Sequence, residues 1–160
     1  MADQLATLQL VLDEFDVGEI ATIDHRIEIQ KLICLAQNAG LQLGYGFNWY
    51  VRGPYSPSLT SDYYQVASSR DHIQKQTQNF VLTAASLTAI EKVKTLMVVP
   101  AGIGLTRVQW LELLASIVYL RKSYNLSKDP VRNKIQQLKV HLAPYFEPAY
   151  STLEAAHFVG

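Results

Sequence analysis

Apolar residues recur along this chain mostly at spacings of three and four, the period of a helix. Leu5, Leu8, Leu12 and Phe15 form one stripe over residues 4–15. Ile29, Leu32, Ile33 and Ala36, widened by Leu35, predict a second helix from about His25 to Asn38, with Asp24 placed to cap it and Gly40 to end it. Leu59, Tyr63 and Val66 predict a third, reaching about Ser69. Leu87, Ile90, Val93 and Met97 predict a fourth, capped by Thr83. In residues 106–124 the pattern changes. Val108, Trp110, Leu111, Leu113, Leu114, Ile117, Val118 and Leu120 lie nearly all round the helix, which predicts a buried central element. Asp129-Pro130 offers a cap and a first-turn proline for a sixth helix carrying Val131, Ile135, Leu138 and Leu142, stopped by Pro144. A short last helix is predicted over residues 148–157.

The helical period fails at "GLQLGYGFNWYVRGPYSP", where Gly40, Gly44 and Gly46 punctuate the chain. "FNWYV" is extended in preference. Phe47 and Trp49 alternate and so share one side, suited to sealing a core, while Asn48 and Tyr50 take the other. Gly53-Pro54 ends the arm, and Ser56-Pro57 reads as an N-cap followed by proline at the first helical position. A second extended piece, residues 80–82, is expected to complete a small pair with it. The expected fold is mostly α, a single domain over residues 1–160. It has six to seven helices, one small two-stranded extended element and a winged-helix-like N-terminal part.

Composition narrows the function classes. Apolar residues are 49% and charged residues 18%, which suits a chain that buries a core and excludes a disordered one. No apolar run nears the roughly 18 residues of a membrane span, so no membrane partner is expected. The single cysteine, Cys34, has no internal partner for a disulfide, and the start is acidic with no basic leader-like segment, so a cytoplasmic setting is expected. Net charge is zero but uneven. Asp3, Asp13, Glu14, Asp16, Glu19, Asp24 and Glu28 face Arg26 alone in residues 1–30. Arg121, Lys122, Lys128, Arg132, Lys134 and Lys139 face only Asp129 in residues 121–141. Such ends pair with each other, stay solvated, or steer a charged partner.

Candidate chemistry is sparse. His25, His72, His141 and His157 stand apart, with no cysteine at ligand spacing, so no metal is expected. Cys34 lies on an apolar helix face, where cysteine acts as a small hydrophobe. "GIG" at 102–104 lacks the further glycine and lysine of a phosphate loop. Acidic pairs such as Asp13-Glu14 lie on a helix face that reads as solvated. The expectation is a non-enzymatic chain without a cofactor. In "FNWYVRGPYSPSL", the corner accounts for Phe47, Trp49, Gly53, Pro54, Ser56 and Pro57. That leaves Tyr50, Arg52 and Tyr55, residue types that dominate protein interfaces, as candidate partner contacts. The alternative is a winged-helix-like nucleic-acid-binding regulator. Its candidate reading helix, "PSLTSDYYQVASSR", has no basic residue before Arg70, so the phosphate contacts would come from Arg121, Lys122, Lys128, Arg132, Lys134 and Lys139.

"KLICLAQNAG" followed by "FNWYVRGPYSPSL" resembles the Panacea-type antitoxin domain and its small bacterial relatives. The likeness is carried by Lys31, Leu32, Leu35 and Gln37, then Phe47, Trp49, Tyr50, Gly53, Pro54, Tyr55 and Ser56. "FVLTAASLTAIEKV" is similar to the group's strand-then-helix piece, with Ala84-Ala85 where a threonine and an acidic–glycine pair are usual. "WLELLASIVYL" and "LKVHLAPYF" are similar to a shorter bacterial branch. The resemblance covers about residues 26–100. It implies a mostly helical module that contacts a protein partner, as a toxin-neutralising or accessory subunit of a toxin–antitoxin or phage-defence system. It carries over no catalytic residue and leaves a homo-oligomer open.

Overall fold

The computed structural model describes residues 2–159 and shows a mostly helical chain built round α6 (Arg107–Ser123). Residues 110–120 of this helix are all buried, so no face meets solvent, as its all-round apolar pattern requires. Thr106 and Gln109 form a capping box at its start, and the indole N–H of Trp110 donates to Leu96 O at 3.1 Å.

Against α6 lies α2 (Ile23–Asn38), buried without interruption over residues 27–36. Its cap is Thr22, whose hydroxyl accepts from His25 N while the His25 ring accepts from Thr22 N. Asp24, expected as the cap, stands exposed in the first turn. α1 (Ala2–Glu14) packs on α3 (Pro57–Ser68) and α4 (Arg70–Thr77), and α5 (Ala84–Lys94) packs on α2. α7 (Lys128–Leu138) and α8 (Phe146–Ala155) close the other side of α6, joined by a 3-10 turn, Ala143–Tyr145. Ser127, and not Asp129, occupies the N-cap position of α7. Asp129 lies in the first turn and pairs with Arg132.

Among the described residues there are eight α-helices, where six to seven were expected. α4 is the addition. It is polar except for buried Ile73, so it left no apolar stripe to detect. The small sheet is present but differently made. β1 (Asn48–Tyr50) pairs antiparallel with β2 (Gly53–Tyr55), matching Trp49 to Pro54 and Tyr50 to Gly53. Residues 80–82 are not a strand. Phe80 and Val81 are exposed in the loop that leads to the Thr83 cap. β2 packs on α2 and α6, and this seats the hairpin over the two most buried helices. No helix among the described residues is long and apolar enough to cross a membrane.

Candidate functional site

Three polar side chains of α2 hold the segment that follows it. Gln37 donates to Tyr45 O at 2.9 Å and accepts from Tyr45 N at 2.8 Å. Gln30 does the same to Ser56, donating at 3.0 Å and accepting at 2.9 Å. Each side-chain amide serves a backbone N–H and C=O as a neighbouring strand would, so these buried groups keep partners without a third strand. Between these two fastenings, Lys31 Nζ donates to Pro54 O at 2.7 Å.

A second lysine grips the hairpin from below. Lys139, just past α7, donates to Val51 O at 3.3 Å and pairs with Glu112 of α6 at 2.8 Å, its ammonium 5.3 Å from the centre of the Trp49 ring. Lys31, Glu112 and Lys139 are 1%, 7% and 2% exposed. Two cations thus lie near one carboxylate away from water, with Lys139 in contact with it and Lys31 only within its field. Burial pulls the Lys31 ammonium down to about 8, against the opposing pull of Glu112. The Ser116 hydroxyl, also buried here, has no hydrogen-bond partner among the described residues. It sits against Gly53, whose φ of +87° is left-handed. A Cβ at that position would come within 2.6 Å of Ser116 Oγ. Neither Val51 nor Arg52 has a positive φ. The hairpin therefore turns by placing its left-handed residue after the two-residue tip, which the sequence marks with Gly53.

These anchors leave the tip standing free. Val51 is 94% exposed, and Arg52 is exposed with no hydrogen bond or ion pair among the described residues. Tyr50 meets Tyr55 edge to face at 5.1 Å, and the Thr60 hydroxyl donates to Tyr55 Oη at 2.6 Å. A groove of about 410 Å³ runs beside them. Ile23, Arg26, Ile27, Gln30 and Lys31 line it from α2, Tyr50, Val51, Arg52, Gly53 and Tyr55 from the hairpin, and Thr60, Tyr63 and Tyr64 from α3.

The structure brings Tyr50, Arg52 and Tyr55, the three candidate contacts, onto this one groove. Gly53, Pro54 and Ser56 are buried beneath it, and Pro57 is exposed at the start of α3. Phe47 and Trp49 are half-buried, Trp49 against Tyr119 at 6.0 Å, and the Tyr119 hydroxyl donates to Phe47 O at 3.4 Å. Lys31 and Gln37, which carry the resemblance, fasten the hairpin segment. Sequence reading missed Gln30, Glu112, Arg26 and the support given by Lys139. The one signal available was Gln30-Lys31 inside an apolar helix run, where polar side chains need buried partners.

Most basic residues of 121–141 are engaged within the fold. Arg132 binds Glu147 and Asp129, and Lys128 binds Glu147. Lys122 donates to Asn38 O and Arg121 to Leu126 O. Lys139 is buried, so it cannot belong to a surface patch. Only Lys134 makes no hydrogen bond or ion pair among the described residues. A larger cleft of about 780 Å³ lies beside α1 and α2; in it Asp13 pairs with Arg70 and Glu28 with Arg107, while Glu19 lies 3.6 Å from the His25 ring and Asp16 makes no ion pair among the described residues. No group of three or more His, Cys, Asp or Glu among the described residues is placed to hold a metal. Burial pushes the Cys34 thiol up to about 12, so it stays protonated.

No family model, curated protein or solved structure matches the chain.

Proposed function

We propose that this chain is a non-enzymatic protein-binding module that docks its partner on the hairpin tip and the groove beside it, in the manner of an antitoxin or accessory subunit. The observation that carries the reading is the contrast between tip and base. Tyr50, Val51 and Arg52 project into solvent, while the backbone under them is held by Lys31, Lys139 and Gln30. A tip fixed before contact loses little conformational freedom on binding, which favours affinity. Tyrosine and arginine are the residue types best able to use it. The partner of this reading is a toxin or effector subunit in the cytoplasm, with no cofactor involved.

Growth rescue tests the reading. The chain is co-expressed with the product of the gene beside its own. The neighbour alone is expected to arrest growth, the chain to relieve the arrest, and a Tyr50→Ala, Arg52→Ala variant to lose that relief while keeping its melting temperature. A harmless neighbour, or full relief by the variant, counts against the reading.

The alternative, a winged-helix-like regulator binding nucleic acid through residues 121–141, has less support. Five of its six cations already serve intramolecular partners, so few phosphates could be neutralised without breaking ion pairs.

A further inference from the structure

The groove has a one-sided charge. Arg26, Lys31 and Arg52 line it, and no carboxylate does. Arg26 spends one N–H on Ile20 O at 2.8 Å, and Lys31 spends one on Pro54 O. Arg52 spends none that the described residues receive. The remaining lining is largely aromatic and aliphatic, with the exposed rings of Tyr50 and Tyr64 in front and Tyr63 buried behind them. An occupant that complements both properties carries an anionic group next to an apolar side chain.

We propose that the groove receives an acidic segment of the partner protein, with a carboxylate on Arg52 and a neighbouring aliphatic or aromatic side chain against the tyrosines. The proposal rests on the docking site argued above and adds the chemistry of what docks there. A planar guanidinium free at the mouth suits a carboxylate, which it can bind through two parallel hydrogen bonds.

A single nucleic-acid strand also combines anions with stacking surfaces, but the surroundings oppose it. A strand needs a track of cations along its backbone. Here Lys31 is 1% exposed and Arg26 is partly engaged. Of the three cations lining the groove, that leaves Arg52 alone exposed and without a hydrogen bond or ion pair among the described residues. Arg52 alone can meet one carboxylate, whereas a strand's run of phosphates needs several cations in a row.

The test is selection from a random-peptide phage library on the full chain. The leading peptide is then synthesised and its binding measured by fluorescence polarisation. Enriched peptides are expected to carry Asp or Glu beside an aromatic or branched residue. Arg52→Glu in the protein, or Glu→Gln in the peptide, is expected to weaken binding about tenfold or more, the loss typical of an interface arginine. Arg52 is exposed at the tip, so the variant keeps its fold, which circular dichroism checks. Neutral or basic peptides that still lose binding on Tyr50→Ala overturn the acidic assignment and leave the docking site standing. Peptides indifferent to both substitutions, or no enrichment, overturn both. A labelled oligothymidylate that binds more tightly than the peptide, and loses binding on Arg52→Glu, overturns the proposal in favour of nucleic acid.

Discussion

At the scale of single residues, Gly53 is the most constrained position in the hairpin. Its positive φ strains any residue with a Cβ, and Ser116 Oγ already fills the space a Cβ needs. Gly53→Ala is expected to cost about 3 kcal/mol, summing backbone strain with overpacking. Ser116→Ala alone is expected to be near neutral, since it removes a hydroxyl that has no partner among the described residues. Combining the two should recover the steric share and leave the backbone share, about 1–2 kcal/mol. Urea denaturation of the three variants measures each share. Equal losses in the single and double variants would assign the whole cost to the backbone. Gly53 was visible in the sequence as a breaker before proline. Its close approach to Ser116 was not, because 63 positions of chain separate the two and no local pattern links them.

At the scale of elements, α2 works as a clamp as well as a core helix. Its stripe of Ile29, Leu32, Ile33 and Ala36 was legible from spacing, and all four are buried. The fate of its polar side was not. Spacing assigns such a side to water, but here the hairpin covers it and turns Gln30, Lys31 and Gln37 inward. The strand pairing was missed for a related reason. Gly53-Pro54 reads as the end of an extended arm, yet a two-stranded sheet has only edge strands, where proline is tolerated. The clamp makes a specific claim about Gln30→Ala. Ser56 O keeps the Thr60 N–H, but Ser56 N, which is buried, keeps no other partner among the described residues. The variant should lose about 2 kcal/mol, the cost of an orphaned buried donor. Hydrogen exchange at Ser56 should accelerate while that in the middle of α6 changes little beyond the global loss. Unchanged protection at Ser56 would show that Gln30 is not its anchor.

At the scale of the whole molecule, Lys31, Glu112 and Lys139 join α2, α6 and the end of α7 to one hairpin through a buried group of two cations and one carboxylate. The Lys31 ammonium titrates near 8 when folded and near 10.5 when unfolded. Between these values the unfolded chain binds more protons than the folded one, so this group makes stability rise with pH. The gain approaches about 3 kcal/mol by pH 10.5, at about 1.4 kcal/mol for each pH unit crossed between the two values. Below pH 8 the lysine is charged in both states and contributes no slope. Lys31→Met is expected to flatten this rise. Denaturation midpoints of both proteins through that window measure the difference, which cancels the tyrosines titrating in each. Parallel curves would mean that Lys31 titrates alike in the folded and unfolded chains. The helical class and central α6 followed from apolar periodicity. The three-residue charge group did not, since its members are far apart in the chain and only folding brings them together.

The lysines take hold of the hairpin through the carbonyl oxygens of Val51 and Pro54, and every residue type has such an oxygen. The side chains at 50, 51 and 52 therefore carry little of the fold's stability. Selection can replace them without first finding a compensating change in the core. If the tip is the docking surface proposed above, a lineage with this architecture is free to change its partner while inheriting the same scaffold, with Lys31 and Lys139 fixed beneath and three letters of sequence open above.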